Sequence, residues 1–126
     1  MTITASYRIL LVEDDSLLRH AFRLLLEDAG YHIREAGTAR EAIAKAQVEA
    51  PDLILLDLGL PDAPGLDVAR ELRRQDATRA TPIIALTGRV GAALRAECAE
   101  AGCTSYLSKP IEPKALMRRL ADFFAE

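Results

Sequence analysis

The sequence has only two cysteines, no long apolar run and no cluster of basic residues. Cys98 and Cys103 match neither a metal-ligand spacing nor a redox Cys-x-x-Cys motif, so both read as reduced, largely buried thiols of a cytoplasmic protein. The first residues, Met1 to Ser6, are polar and short, and the apolar run Ile9–Val12 stops at Glu13-Asp14-Asp15, which excludes a signal-peptide pattern. Nothing approaches membrane-spanning length. Sixteen basic residues face nineteen acidic ones, for a net charge of −3. The basic doublets Arg73-Arg74 and Arg118-Arg119 sit in helical patterns among acids and read as solvated faces, so direct nucleic-acid binding is not expected. Repeats, linkers and low-complexity tracts are also missing. What remains is 126 residues, half of them hydrophobic and 28% charged, the balance of one globular domain with one core. The expectation is a domain over residues 7–126, a short N-terminal extension at 1–6 and no output domain.

Five short apolar runs alternate with helical patterns: Arg8–Val12, His32–Ala36, Leu53–Leu56, Pro82–Leu86 and Thr104–Leu107. Ile9–Val12, Leu53–Leu56 and Ile83–Leu86 are continuous rather than alternating, as in parallel strands buried on both faces. The second run is more polar and suits an edge. The first helix spans Ser16–Ala29, with Leu18, Phe22, Leu25 and Ala29 on one stripe and Gly30 as its stop. Thr38-Ala39-Arg40-Glu41 is a capping box for a second, with Ile43 and Ala46 inward. Gly65 precedes a third, with Val68 and Leu72 on one face; an Ala-rich fourth runs from about Ala92 to Ala101 and is expected to pack least firmly. Pro113 opens the last, which buries Leu116, Leu120 and Phe123 or Phe124. This alternation predicts a single α/β domain of (βα)5 type. The sheet is parallel, doubly wound and flavodoxin-like, with strand order 2-1-3-4-5 and helices on both faces.

Such sheets bind ligands at the carboxyl ends of their strands. Reading off those ends gives Glu13-Asp14-Asp15, Asp57, Thr87-Gly88 and Ser108-Lys109-Pro110. Any one of them alone is an ordinary strand end or helix cap. Together they bring carboxylates, a hydroxyl and an ammonium to one rim. Clustered carboxylates call for a proton or a cation, and hard oxygens without Cys or His favour Mg²⁺. Asp57, ending the most apolar strand, is placed to attack phosphorus and form an acyl phosphate.

Ile9-Leu-Leu-Val-Glu-Asp-Asp15, Leu53-Ile-Leu-Leu-Asp57-Leu-Gly-Leu-Pro61, Gly65, Ile83-Ile-Ala-Leu-Thr-Gly88 and Tyr106-Leu-Ser-Lys-Pro110 resemble the receiver domains of two-component response regulators, over nearly the whole chain. The resemblance implies a signalling switch that catalyses only its own phosphorylation and slow autodephosphorylation. It implies Asp57 as phosphoacceptor from a histidine kinase or histidine phosphotransfer protein. Asp15 and Asp57 would ligate Mg²⁺, or Mn²⁺ in its place, with the backbone carbonyl of Gly59, and Asp14 would act through a metal-bound water. Lys109 would pair with the phosphoryl group, next to a cis Lys109–Pro110 peptide. Thr87 and Tyr106 would be the switch residues, altering a face of helix 4, strand 5 and helix 5 read by a protein partner. The chain would be a monomer or a weak phosphorylation-dependent dimer.

Several positions depart from the commonest family pattern. Pro64 stands where an acid is frequent, which leaves Asp62 as an extra, solvated loop acid. Gly59 and Arg89, two residues beyond Asp57 and Thr87, lie where receivers tune the lifetime of the phosphoryl group. The segment from Glu97-Cys98 to Tyr106 leans towards receivers of hybrid kinases and phosphorelays. Three other readings compete. A haloacid-dehalogenase-type phosphatase needs a second Asp two residues after the nucleophile, where Gly59 stands. A flavin-binding flavodoxin needs a hydroxyl- and Gly-rich phosphate loop after the first strand, where Glu13-Asp14-Asp15 would repel phosphate. A degenerate receiver used only for docking would not need Asp14, Asp15, Asp57, Thr87 and Lys109 together.

Overall fold

Strands covered on both faces must be apolar along their whole length, and the continuous runs form the middle of the sheet accordingly. In the computed structural model, which describes residues 6–125, ten elements alternate along the chain. They are β1 (Arg8–Val12), α1 (Ser16–Asp28), β2 (His32–Ala36), α2 (Ala39–Val48), β3 (Leu53–Asp57), α3 (Gly65–Arg74), β4 (Ile83–Thr87), α4 (Ala92–Ala101), β5 (Ser105–Ser108) and α5 (Pro113–Phe124). The first five residues of the expected N-terminal extension, and Glu126, lie outside the described residues. All strand pairs are parallel and the order is β2-β1-β3-β4-β5, as the alternation predicts. The more polar β2 occupies an edge.

Successive strand residues point to opposite faces, which splits the core in two. Leu10, Val12, Ile54, Leu56 and Ile83 pack against α2 and α3. Ile9, Leu11, Leu53, Leu55, Ile84 and Leu86 pack against α1 and α5. The fourth helix contributes a smaller cluster, in which Leu94 and Cys98 lie on Ala85. Both thiols are free; Cys98 is buried and Cys103 half-buried, and burial pushes the Cys103 thiol up to about 12.

The buried stripe of α1 is shifted from the expected one. Phe22 and Leu26 are its buried residues, whereas Leu18 is 38% exposed and Ala29 is exposed. With leucines at 17, 18, 24, 25 and 26, this helix has more apolar residues than one face buries. Gly65 begins α3 rather than preceding it, and the position tolerates no side chain. A Cβ there would lie 2.5 Å from the Leu58 Cα and 2.7 Å from the Asp57 carbonyl oxygen. The helix thus starts directly against the end of β3.

Candidate functional site

The ends of three strands are locked to one another by the backbone. Leu58 N–H donates to the Leu86 carbonyl at 3.0 Å, and Lys109 N–H to the Thr87 carbonyl at 2.7 Å. Asp57, Thr87 and Lys109 are therefore held in fixed relation by the sheet, and the Lys109–Pro110 peptide is cis as expected. Asp57 and Thr87 are 2% and 3% exposed. The Lys109 ammonium donates to Asp57 Oδ1 at 2.8 Å and lies 3.9 Å from Glu13 Oε1. Gly59 N–H donates to the same Asp57 oxygen at 3.0 Å. Arg89 N–H donates to the Thr87 hydroxyl at 3.0 Å. Above these groups lies a cavity of about 270 Å³ lined by Asp57, Gly59, Thr87, Gly88, Arg89 and Lys109, among others.

Two buried acids share this ground with one ammonium, and they divide the charge unequally. Burial works to raise the Asp57 carboxyl, but the Lys109 hydrogen bond, the Gly59 N–H and a bond from Glu13 outweigh it and hold Asp57 below the ordinary carboxylate value. Glu13 goes the other way. Burial, then its hydrogen bond with Asp57, pushes it up to about 7. Lys109 loses from burial but gains more from Asp57 and Glu13, so its ammonium is held above the usual lysine value. At neutral pH the site holds an ionised Asp57 and a Glu13 poised to exchange its proton for another cation.

The three acids of the triplet fall in different places. Ligating oxygens of Glu13, Asp14 and Asp57 lie within 4.8 Å of one another, with Glu13 and Asp57 buried and Asp14 exposed. Asp15 is not one of this group. Its Oδ1 accepts from Leu17 N–H and Leu18 N–H at 3.0 and 3.2 Å, which makes it the N-cap of α1. The reason is one of register: β1 ends at Val12, Glu13 N–H is still bonded to the Ala36 carbonyl at 3.0 Å, and the helix starts at Ser16. In three consecutive acids the last is the cap, and counting outward from Val12 would have found Glu13. Asp15→Ala should accordingly cost about 1 kcal/mol of stability, measurable by urea unfolding, and leave divalent-metal affinity within about twofold.

Three further residues take unexpected places. The exposed Asp62 accepts from Ala39 N–H and Arg40 N–H at 2.7 and 3.0 Å, so it caps α2 from the loop after β3. Those bonds hold its carboxyl below the ordinary value. The Arg89 guanidinium donates to Glu97 Oε2 on α4 at 2.8 Å. Tyr106 is half-buried, with its hydroxyl 3.5 Å from Arg95 and its ring against the Leu94–Cys98 cluster.

Residues 9–121 match the response regulator receiver domain family. The chain belongs to that family. A 37% identity over 113 residues relates this receiver domain to the transcriptional regulatory protein PhoP of Escherichia coli, covering 90% of the chain but 50% of PhoP. The receiver domain thus spans about half the length of the curated relatives it matches. Among solved structures, the chemotaxis protein CheY4 of Vibrio cholerae superposes with a TM-score of 0.89 at 33% identity, covering 94% of this chain and 98% of the other. The receiver domain of sensor histidine kinase PA1611 from Pseudomonas aeruginosa superposes with a TM-score of 0.87 at 34% identity, covering 97% and 100%. That domain was solved with a magnesium ion coordinated in its active-site cleft. Among the described residues of the present receiver domain, no helix is long and apolar enough to cross a membrane.

Proposed function

We propose that this receiver domain takes a phosphoryl group onto Asp57 from the phosphohistidine of a sensor kinase or a histidine phosphotransfer protein, in a Mg²⁺-dependent step. The observation that carries the reading is the ionised, buried Asp57 carboxylate beside Lys109, clustered with Glu13 and Asp14. A carboxylate oxygen of Asp57 forms the new bond to phosphorus as the donor's N–P bond breaks, and the released imidazole keeps the electron pair. The Lys109 ammonium, already at the attacking group, follows the charge onto the phosphoryl oxygens. The Thr87 hydroxyl, buried at the same rim, turns to donate to another of them.

Glu13, Asp14 and Asp57 fit a hard divalent cation by donor type and clustering, and the Gly59 carbonyl would complete the set. Bound there, Mg²⁺ or Mn²⁺ supplies positive charge to the phosphoryl oxygens. Gly59, with no side chain, leaves the approach of hydrolytic water open, and Arg89 borders it. The switch runs from Thr87 to Tyr106, whose ring follows inward, and from there to the outer face of α4, β5 and α5. A protein partner reads that face. The same reading places the chain in the cytoplasm, with residues 7–126 as the acting unit, as a monomer or a weak phosphorylation-dependent dimer.

Intact-mass measurement after incubation with acetyl phosphate and Mg²⁺ tests this directly. One added phosphoryl group is expected, and none when EDTA removes the metal. A chain that stays unmodified where another receiver domain is labelled would leave only a docking role.

A further inference from the structure

Arg89 links the cavity over Asp57 to the fourth helix through polar contacts. Its backbone N–H holds the Thr87 hydroxyl at 3.0 Å, and its side chain holds Glu97 of α4 at 2.8 Å. Among the described residues lining the cavity over Asp57, it carries the one guanidinium. The ion pair is solvent-exposed, with 63% of the Arg89 and 46% of the Glu97 side chain accessible. Such pairs are weak, so this one is easily exchanged for a better anion.

We infer that Glu97 and a phosphoryl group on Asp57 compete for the Arg89 guanidinium, which makes Glu97 a positioning residue for the phosphorylated state. The inference rests on Asp57 being the acceptor. A phosphoryl group carries about −1.5 to −2 charge and three acceptor oxygens, against a single charge on Glu97. Guanidinium forks suit phosphate oxygens at least as well as carboxylates. The segment between β4 and α4 has room for the exchange. Val90 is 72% exposed, a Cβ on Gly88 would meet nothing within 4 Å, and Gly91 has φ +116°. The end of α4 near this segment is lightly held. Of its residues only Leu94, Cys98 and Ala101 are buried, and Gly91 offers no side-chain cap.

Competition has a signed consequence. Loss of the Glu97 charge frees Arg89 for the phosphoryl group, and by reciprocity the phosphoryl group frees α4 from Arg89. Beryllofluoride, which forms a tetrahedral adduct on an aspartate carboxylate, serves as the probe, titrated in the presence of Mg²⁺ and followed by amide NMR. Glu97→Gln should bind it about two- to fivefold more tightly than wild type, the span that a surface ion pair is worth. Arg89→Ala should bind more weakly, and Glu97→Gln added to Arg89→Ala should change nothing further. Glu100→Gln removes another α4 carboxylate, one paired with Arg70 at 3.1 Å, and should match wild type. The metal-free protein gives a second reading, in which the Arg89 guanidinium resonance moves in Glu97→Gln. All three positions are on the surface, and unchanged melting would show that the variants are folded.

An affinity in Glu97→Gln equal to or below that of wild type overturns the inference. So does a gain that persists without Arg89, or one reproduced by Glu100→Gln. Wild type that fails to bind the probe at all overturns the assignment of Asp57 first, and this inference with it.

Discussion

Asp57→Asn is expected to take up no phosphoryl group from acetyl phosphate under conditions that label wild type stoichiometrically. The two side chains have the same shape, so the strand end and its neighbours should stay in place. What changes is the chemistry of the attacking atom. An amide oxygen carries no full charge, and its nitrogen lone pair is delocalised, so neither end displaces a leaving group from phosphorus. The ammonium of Lys109 could still donate to the amide oxygen in place of its 2.8 Å carboxylate partner, but would keep only the Glu13 carboxylate, at 3.9 Å, as an ion-pair partner. Intact mass and a denaturant melt together decide the outcome. A folded variant with no adduct supports Asp57 as acceptor, whereas an adduct of wild-type yield would move that role to another residue.

Glu13→Gln should have the largest effect on stability, and its sign depends on pH. Folding raises this carboxyl from 4.5 to about 7, so the folded protein prefers the protonated form. Between those values the unfolded chain ionises Glu13 freely while the native site resists. Stability of the metal-free wild type therefore falls as pH rises from about 4.5 to about 7, by a sum on the order of 3 kcal/mol. Glutamine stays neutral throughout. Urea unfolding without divalent ions should give similar stabilities for the two proteins near pH 4 and a more stable variant by pH 8. The depressed carboxyl of Asp57 acts with the opposite sign and in a lower window. Its contribution is present above the ordinary value of 3.8 and lost as pH falls through the folded one, so it does not mask the effect. Added Mg²⁺ should close the gap, because a cation rewards the ionised form that only wild type possesses. Parallel stability curves from pH 4 to 8 would show that Glu13 is not the group under strain.

The fold was legible because the strands are buried on both faces. Runs such as Leu53–Leu56 and Ile83–Leu86 leave no polar alternation to misread, and glycine, proline or a capping box bounds most helices. The first helix was harder. Five leucines within ten residues support more than one stripe, and only packing against β1 and β2 selects Phe22 and Leu26. Asp57, Thr87 and Lys109 were legible as strand ends. The roles of Glu13 and Asp15 were not, since three acids in a row say nothing about which one the sheet still holds. Asp62 was missed for a different reason. It caps a helix 23 residues earlier in the chain, and no local pattern reports a cap supplied from another loop.

The hydrogen bonds that lock the ends of β3, β4 and β5 together separate precision from variety. The acting groups stand on the frame, while residues 59–64, 88–91 and 110–112 are the connections that leave it. Those connections behave as exchangeable cassettes. A loop of different length or charge transplanted there would alter how quickly the site resets, or whom it addresses, while the spacing among the three strand ends stayed as the sheet fixes it. One scaffold can in this way furnish a series of timers with the same trigger.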